Sequence, residues 1–255
     1  MRFDIFCKVV DNFGDAAVCW RLASQLASEH HAAVRLWIDE PATLCALRPG
    51  MRAGTQRQWL DQVEVLHWTA ESAPRDPGDV VIEGFGCGIP EDLLSAMGRR
   101  VPASLWVVLE YLSAESWVDQ CHGLASPHPR FDIPRFYFFP GFTRRTGGLL
   151  RERDLLSRRD HFRKDQEGRS RLWKELGFAP PPDEAIAVSL FGYDNPRVGS
   201  LCDAWATGRR DVVVAVPPGP LREGVCRYFG NAGGRDGTVQ RRGRFEARFI
   251  PFLSQ

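Results

Sequence analysis

Phe3-Asp4-Ile5-Phe6-Cys7-Lys8-Val9-Val10, then Asp11-Asn12-Phe13-Gly14-Asp15, then Ala16 to Ser28: this is the stretch whose reading decides the fold. The first piece is a short apolar run of strand length. The second is a turn built from Asp, Asn and Gly. The third places Val18, Cys19, Leu22, Ala23 and Leu26 at helical spacing. A strand that feeds a helix through such a turn opens a unit of parallel sheet covered by helices.

Working outward, the rhythm repeats. Ala33 to Ile38, Val63 to Leu66, Val80 to Ile82 and Leu105 to Leu109 read as strands, and Pro41 and Pro90 open helices. Residues 111–150 break the pattern with Ser-Pro, His-Pro, Ile-Pro, Phe-Pro and Gly-Gly signals, so loops are expected there. The aromatic run Phe136, Tyr137, Phe138 and Phe139 reads as packing. Beyond it, Asp160 to Leu176 reads as one helix. Ala185 to Leu190 and Val212 to Val216 read as strands, with helices over Pro196 to Trp205 and Leu221 to Phe229. Phe249 to Leu253 reads as the start of another strand, after an irregular Gly/Arg stretch from Asn231 to Arg244. The expected organisation is an N-terminal Rossmann-like domain over 1–150 and a partial second one over 151–255.

The 255 residues are 44% hydrophobic and 25% charged, with a formal net charge of +1. That is the composition of a globular chain, with no bulk attraction to nucleic acid or an anionic membrane. Local basic runs, Arg151 to Lys164 and Arg241 to Arg244, read as solvated faces, with a phosphate or acidic-partner site the minority reading. The seven cysteines are scattered, with no Cys-x-x-Cys pair, so reduced thiols and a cytoplasmic location are expected rather than disulfides or a zinc site. No signal peptide and no membrane span are expected.

In an open parallel sheet, ligands bind beyond the C-terminal strand ends. The turn after the first strand is therefore the leading site. Gly14 permits close backbone approach, and the helix start offers free N–H groups. The plain structural reading makes Asp15 a helix N-cap and Asp11 a turn residue. A Gly-x-Gly-x-x-Gly fingerprint is missing, and so is any Asp-x-Asp triplet, which weakens a metal-dependent reading. Glu83-Gly84-Phe85-Gly86-Cys87-Gly88 and Ser189 to Asn195 are two further candidate loops. The lone histidines His122 and His128 are assigned no site.

Asp11-Asn12-Phe13-Gly14-Asp15-Ala16-Ala17-Val18-Cys19-Trp20-Arg21-Leu22-Ala23 resembles the opening of the elongation factor P arginine rhamnosyltransferases. Leu109 to Val118, Phe138 to Thr143, Thr146 to Glu152, Ser189 to Phe191 with Tyr193 and Asn195, and Pro251 to Leu253 with Gln255 resemble later blocks, in order along the whole chain. The resemblance implies an α/β fold of GT-B type with two facing Rossmann-like domains. It implies an inverting glycosyltransferase that moves rhamnose from TDP-β-L-rhamnose to an arginine of elongation factor P, without a metal or other cofactor. Asp15 matches the family's catalytic base and Asp11 its supporting carboxylate. Asn12, Phe13, Gly14 and Asp15 match the loop that approaches the donor sugar. Phe191, Tyr193, Phe252 and Gln255 match positions that hold the thymidine end. The family pattern also continues beyond Gln255 to a Glu-Asp-Ser segment with an essential carboxylate. The second domain is therefore expected to be incomplete, and the alternative expectation is a catalytically dead remnant that binds elongation factor P or nucleotide only.

Overall fold

The computed structural model describes residues 1–11, 13–69, 75–230 and 234–253. Contacts divide the described chain into one unit from Met1 to Arg153 and a second from Asp154 to Leu253.

The first unit contains β1 (Arg2–Cys7), α1 (Gly14–His30), β2 (Ala33–Ile38), α2 (Pro41–Leu47), β3 (Arg57–Leu60), β4 (Val63–His67), β5 (Val80–Gly84), α3 (Glu91–Arg99), β6 (Leu105–Leu109), α4 (Val118–Cys121), β7 (Ala125–Ser126) and β8 (Arg135–Phe138). Their eight strands form one sheet in the order β3-β4-β2-β1-β5-β6-β8-β7. The six inner strands are parallel, and β3 and β7 pair antiparallel at the edges. Parallel strands are covered on both faces, which is why they read as apolar runs rather than alternations. On one face Phe6, Trp37, Val81, Trp106 and Val108 pack with Leu93, Leu94 and Met97 of α3. Ile5 and Cys7 must point to the other face. There α1 lies across β1, β2 and β4 and buries Ala16, Cys19, Ala23 and Ala27. Each large apolar side chain so buried contributes about 1.5–3 kcal/mol.

The exposed side of α1 clasps the end of the unit. Arg21, Gln25 and Glu29 stand one turn apart along the helix. The Arg21 guanidinium meets both Glu152 oxygens, at 2.9 and 2.8 Å. Gln25 donates to the Arg151 carbonyl at 2.7 Å, and the Arg153 N–H donates to Glu29 at 2.7 Å.

The second unit contains α5 (Leu155–Lys164), α6 (Gln166–Glu175), β9 (Ile186–Ser189), α7 (Val198–Thr207), β10 (Val212–Val216), α8 (Pro220–Tyr228), β11 (Val239–Arg242) and β12 (Phe245–Phe249). The sheet runs β11-β12-β10-β9, with β9, β10 and β12 parallel. Val212, Val214, Val216, Phe245, Ala247 and Phe249 pack against Val198 and Cys202 of α7 and Val225 and Cys226 of α8. Ala215 and Ile250 face the opposite way, toward Trp173, Leu176 and Phe178.

Several expectations are corrected. The helix expected over Asp160 to Leu176 is two helices, because Asp165 ends α5 and its carboxylate accepts the Gly168 N–H at 2.8 Å to cap α6. Loops dominate 111–150 as expected, around the short α4 and β7 and the strand β8, Arg135–Phe138, which pairs parallel with β6. The described part of the Gly/Arg stretch is an antiparallel hairpin, β11 to β12, turning at Gly243 with φ +53°. An edge strand ending in Arg241 and Arg242 looks irregular by pattern, yet charge on an edge is how sheets avoid pairing with other chains. The strand placed at Phe249 to Leu253 lies four residues earlier, over Phe245–Phe249. All seven cysteines are free. Among the described residues no helix is long and apolar enough to cross a membrane.

Gly84 ends β5 where backbone packs closest. A Cβ there would stand 2.8 Å from the Phe6 carbonyl and 3.0 Å from Cys19 Sγ. Gly84→Ala is expected to destabilise the chain by about 1–3 kcal/mol, because the central strand has to shift. A thermal melt followed by circular dichroism checks this, and an unchanged midpoint contradicts the close approach.

Candidate active site at the switch point of the first sheet

The chain runs from β1 to β2 on one side of β1, then returns to β5 on the other side. The β1/β5 border is thus the topological switch point, where open α/β sheets form a crevice beyond their strand ends. Three segments leave the sheet there: the turn 11–15 after β1, the loop 85–88 after β5, and Glu110-Tyr111 after β6.

Asp15 is at the centre of these segments and is 1% exposed. It is the second residue of α1, near the positive end of the helix. Its side chain does not cap that helix. The cap position belongs to Phe13, which makes no side-chain cap bond, so the N-cap reading of Asp15 is corrected. The carboxylate instead folds back over the turn. Oδ2 accepts the N–H groups of Val10 at 2.9 Å and Asp11 at 2.8 Å, and Oδ1 accepts the Tyr111 hydroxyl at 2.9 Å. The turn itself closes with Gly14 N–H on the Asp11 carbonyl at 2.7 Å. A Cβ on Gly14 would meet Asp11 Oδ2 at 2.8 Å, so a larger residue here would require the Asp11 side chain to shift. Asp11 is half-buried beside it. Asn12 and Gln255, two of the expected donor-binding residues, lie outside the described residues.

The β5 loop supplies an aromatic wall. Phe85 adopts a left-handed backbone at φ +55° and stacks on Tyr111, centroids 4.3 Å apart and planes at 15°. A non-glycine residue in that region carries strain of about 1–3 kcal/mol that its surroundings must hold. Part of the hold is Glu83, buried, whose Oε1 accepts the Gly88 N–H at 2.8 Å and whose Oε2 accepts the Trp106 indole at 3.0 Å. Burial, and then the Asp15 carboxylate, push the Tyr111 phenol above the usual tyrosine range. Burial, and then Glu83, raise Glu110 above the usual carboxylate range. Sequence reading did not single out Tyr111 or Glu110 as site residues. The available signal was their position directly after a buried strand at the crevice.

In the second unit, Phe191 and Tyr193 follow β9 and are 73% and 69% exposed. Phe252 follows β12 and is half-buried. All three leave the C-terminal end of that unit's parallel strands. His122 is structural: its Nδ1 accepts the Phe139 N–H at 3.1 Å. Among the described residues no group of three His, Cys, Asp or Glu is placed to hold a metal ion.

Removing the Asp15 carboxylate strands three donors. Asp15→Ala is expected to destabilise the first unit by about 1–3 kcal/mol. Urea unfolding checks this, and an unchanged midpoint would show that those hydrogen bonds do not stabilise the fold.

A family model described as elongation factor P (EF-P) rhamnosyltransferase EarP matches residues 3–255. The chain is 45% identical over 253 residues to a protein-arginine rhamnosyltransferase of Pseudomonas putida, covering 99% of this chain and 67% of that one. It is 40% identical over 253 residues to the Pseudomonas aeruginosa protein of the same name, with the same coverage. A solved structure concerning EarP-mediated arginine glycosylation of translation elongation factor EF-P matches with a TM-score of 0.59 and 31% identity, covering 100% of this chain and 61% of that chain. The chain thus spans roughly two thirds of the length of these relatives. Its two α/β units and its sequence agree, and the chain belongs to the EF-P rhamnosyltransferase family, within the GT-B glycosyltransferases.

Proposed function

We propose that the chain is built for transfer of rhamnose from TDP-β-L-rhamnose to an arginine side chain of elongation factor P, with inversion at the anomeric carbon, in the cytoplasm. The observation that carries the reading is the buried Asp15 carboxylate, held by three donors at the switch point of a family member's first sheet.

The acceptor guanidinium is a weak nucleophile, because its lone pairs are delocalised and it is protonated at ordinary pH. A fixed carboxylate answers both problems. It orients an N–H by a charge-assisted hydrogen bond and takes its proton as the new bond forms. In a single displacement the guanidinium nitrogen bonds to the anomeric carbon from the face opposite the diphosphate. The carbon–oxygen bond to the diphosphate breaks, TDP leaves with the electron pair, and the nitrogen's proton passes to Asp15. Asp11 supports the charge beside it. Asn12, Phe13 and Gly14 are proposed to approach the donor sugar. Phe191, Tyr193, Phe252 and Gln255 are proposed to hold the thymidine end. No metal is required in this scheme, since backbone N–H groups can stabilise the leaving diphosphate.

In the protein at the full length of its relatives, incubation with elongation factor P and TDP-β-L-rhamnose is expected to add a rhamnosyl mass to one arginine. Asp15→Asn is expected to lower the rate by roughly 10²–10⁴ while TDP still raises the melting temperature. Substantial turnover by Asp15→Asn would remove the residue from the role of base. Binding of elongation factor P without any transfer by the wild-type chain would favour the binding-only alternative.

A further inference from the structure

We infer that Tyr111 is a positioning residue for Asp15: its hydroxyl fixes the second carboxylate oxygen, and the Phe85 ring fixes the hydroxyl. The inference rests on the functional reading above.

A carboxylate oxygen offers about two acceptor directions. Oδ2 of Asp15 spends both on the backbone N–H groups of Val10 and Asp11. Oδ1 takes one hydrogen bond, from Tyr111. An incoming acceptor N–H therefore finds its open direction on Oδ1, beside the phenol. Two bonds to Oδ2 alone anchor one oxygen and leave the group free to rock about it. The bond to Oδ1 removes that motion and sets the direction of the lone pair that receives the proton. General-base transfer depends on that direction, and errors of an ångström are enough to cost orders of magnitude in rate.

Tyr111 is 49% exposed, so its ring is not part of the core. What holds it is the stack on Phe85, in a loop that Glu83 pins from below. The phenol must keep its proton to act as donor. The groups that face it are Asp15, Asp11 and Cys7, and together with burial they keep it protonated above the usual tyrosine range.

Tyr111→Phe keeps the ring and removes the donor. Steady-state kinetics with elongation factor P are expected to show kcat lowered by roughly 10- to 100-fold with the acceptor KM nearly unchanged. Phe85→Leu is expected to lower kcat as well, but to add little in the Tyr111→Phe background, since both act through one hydrogen bond. Unchanged kcat in Tyr111→Phe, a loss confined to KM, or additive losses in the double variant would overturn the inference. An activity-independent readout accompanies this. In ultraviolet difference titration of wild type against Tyr111→Phe, the Tyr111 phenol is expected to ionise above the usual tyrosine range, and Asp15→Asn to bring it down. A normal phenol, or one unmoved by Asp15→Asn, means the hydrogen bond is not made. If the wild-type chain transfers no sugar, the functional reading fails, while the titration still decides whether Tyr111 holds Asp15.

Discussion

A carboxylate that is 1% exposed must have its charge met by the protein, because water cannot do it. Asp15 meets that demand by drawing donors from two stretches of chain: the Val10 and Asp11 N–H groups of the loop after β1, and the Tyr111 hydroxyl of the segment after β6. Much else in the first unit follows. The turn folds back on itself, and Gly14 leaves room for the Asp11 side chain beside it. The helix then starts with Phe13 at its cap, giving up a side-chain cap to free the aspartate. A local cost of about 1 kcal/mol is accepted to place a charge at the crevice.

The sheet makes this placement rigid. β1 is central, paired parallel to β2 on one side and β5 on the other, with apolar side chains buried on both faces. Gly84 lets β5 and α1 close against β1 without a gap. The helix that carries Asp15 at its first turn also clasps residues 151–153 through Gln25, Arg21 and Glu29. One helix thus fixes both the site and the end of the unit. The bidentate Arg21–Glu152 pair is partly exposed, so its weight lies in geometry more than in energy.

The second unit follows the same physics. Its parallel strands are covered by α7 and α8 on one face and, on the other, by Trp173 of α6 with Leu176 and Phe178 just after it. Its antiparallel edge, β11, ends in arginines, and Arg241 pairs with Glu246 across the hairpin. The exposed Phe191 and Tyr193 stand out against this ordinary packing.

The sequence by itself determined the fold class and pointed to the turn after the first strand as the candidate site. Hydrophobic runs of strand length alternating with 3.6-residue periodicity can bury their apolar faces only as a helix-covered parallel sheet. The turn at 11–15 is legible because Asp, Asn and Gly each have a local backbone reason to be there. Where non-local contacts decide, the sequence was silent. It read Asp15 as a cap, since a carboxylate at a helix start usually bonds its own helix; only the fold brought Tyr111, 96 positions away, within 2.9 Å. It read one helix where Asp165 makes two, and irregular chain where Arg241 and Arg242 form a charged edge strand. Phe85 and Tyr111 carry no common motif. They became neighbours because β5 and β6 pair in register and release their chains side by side at the same end of the sheet.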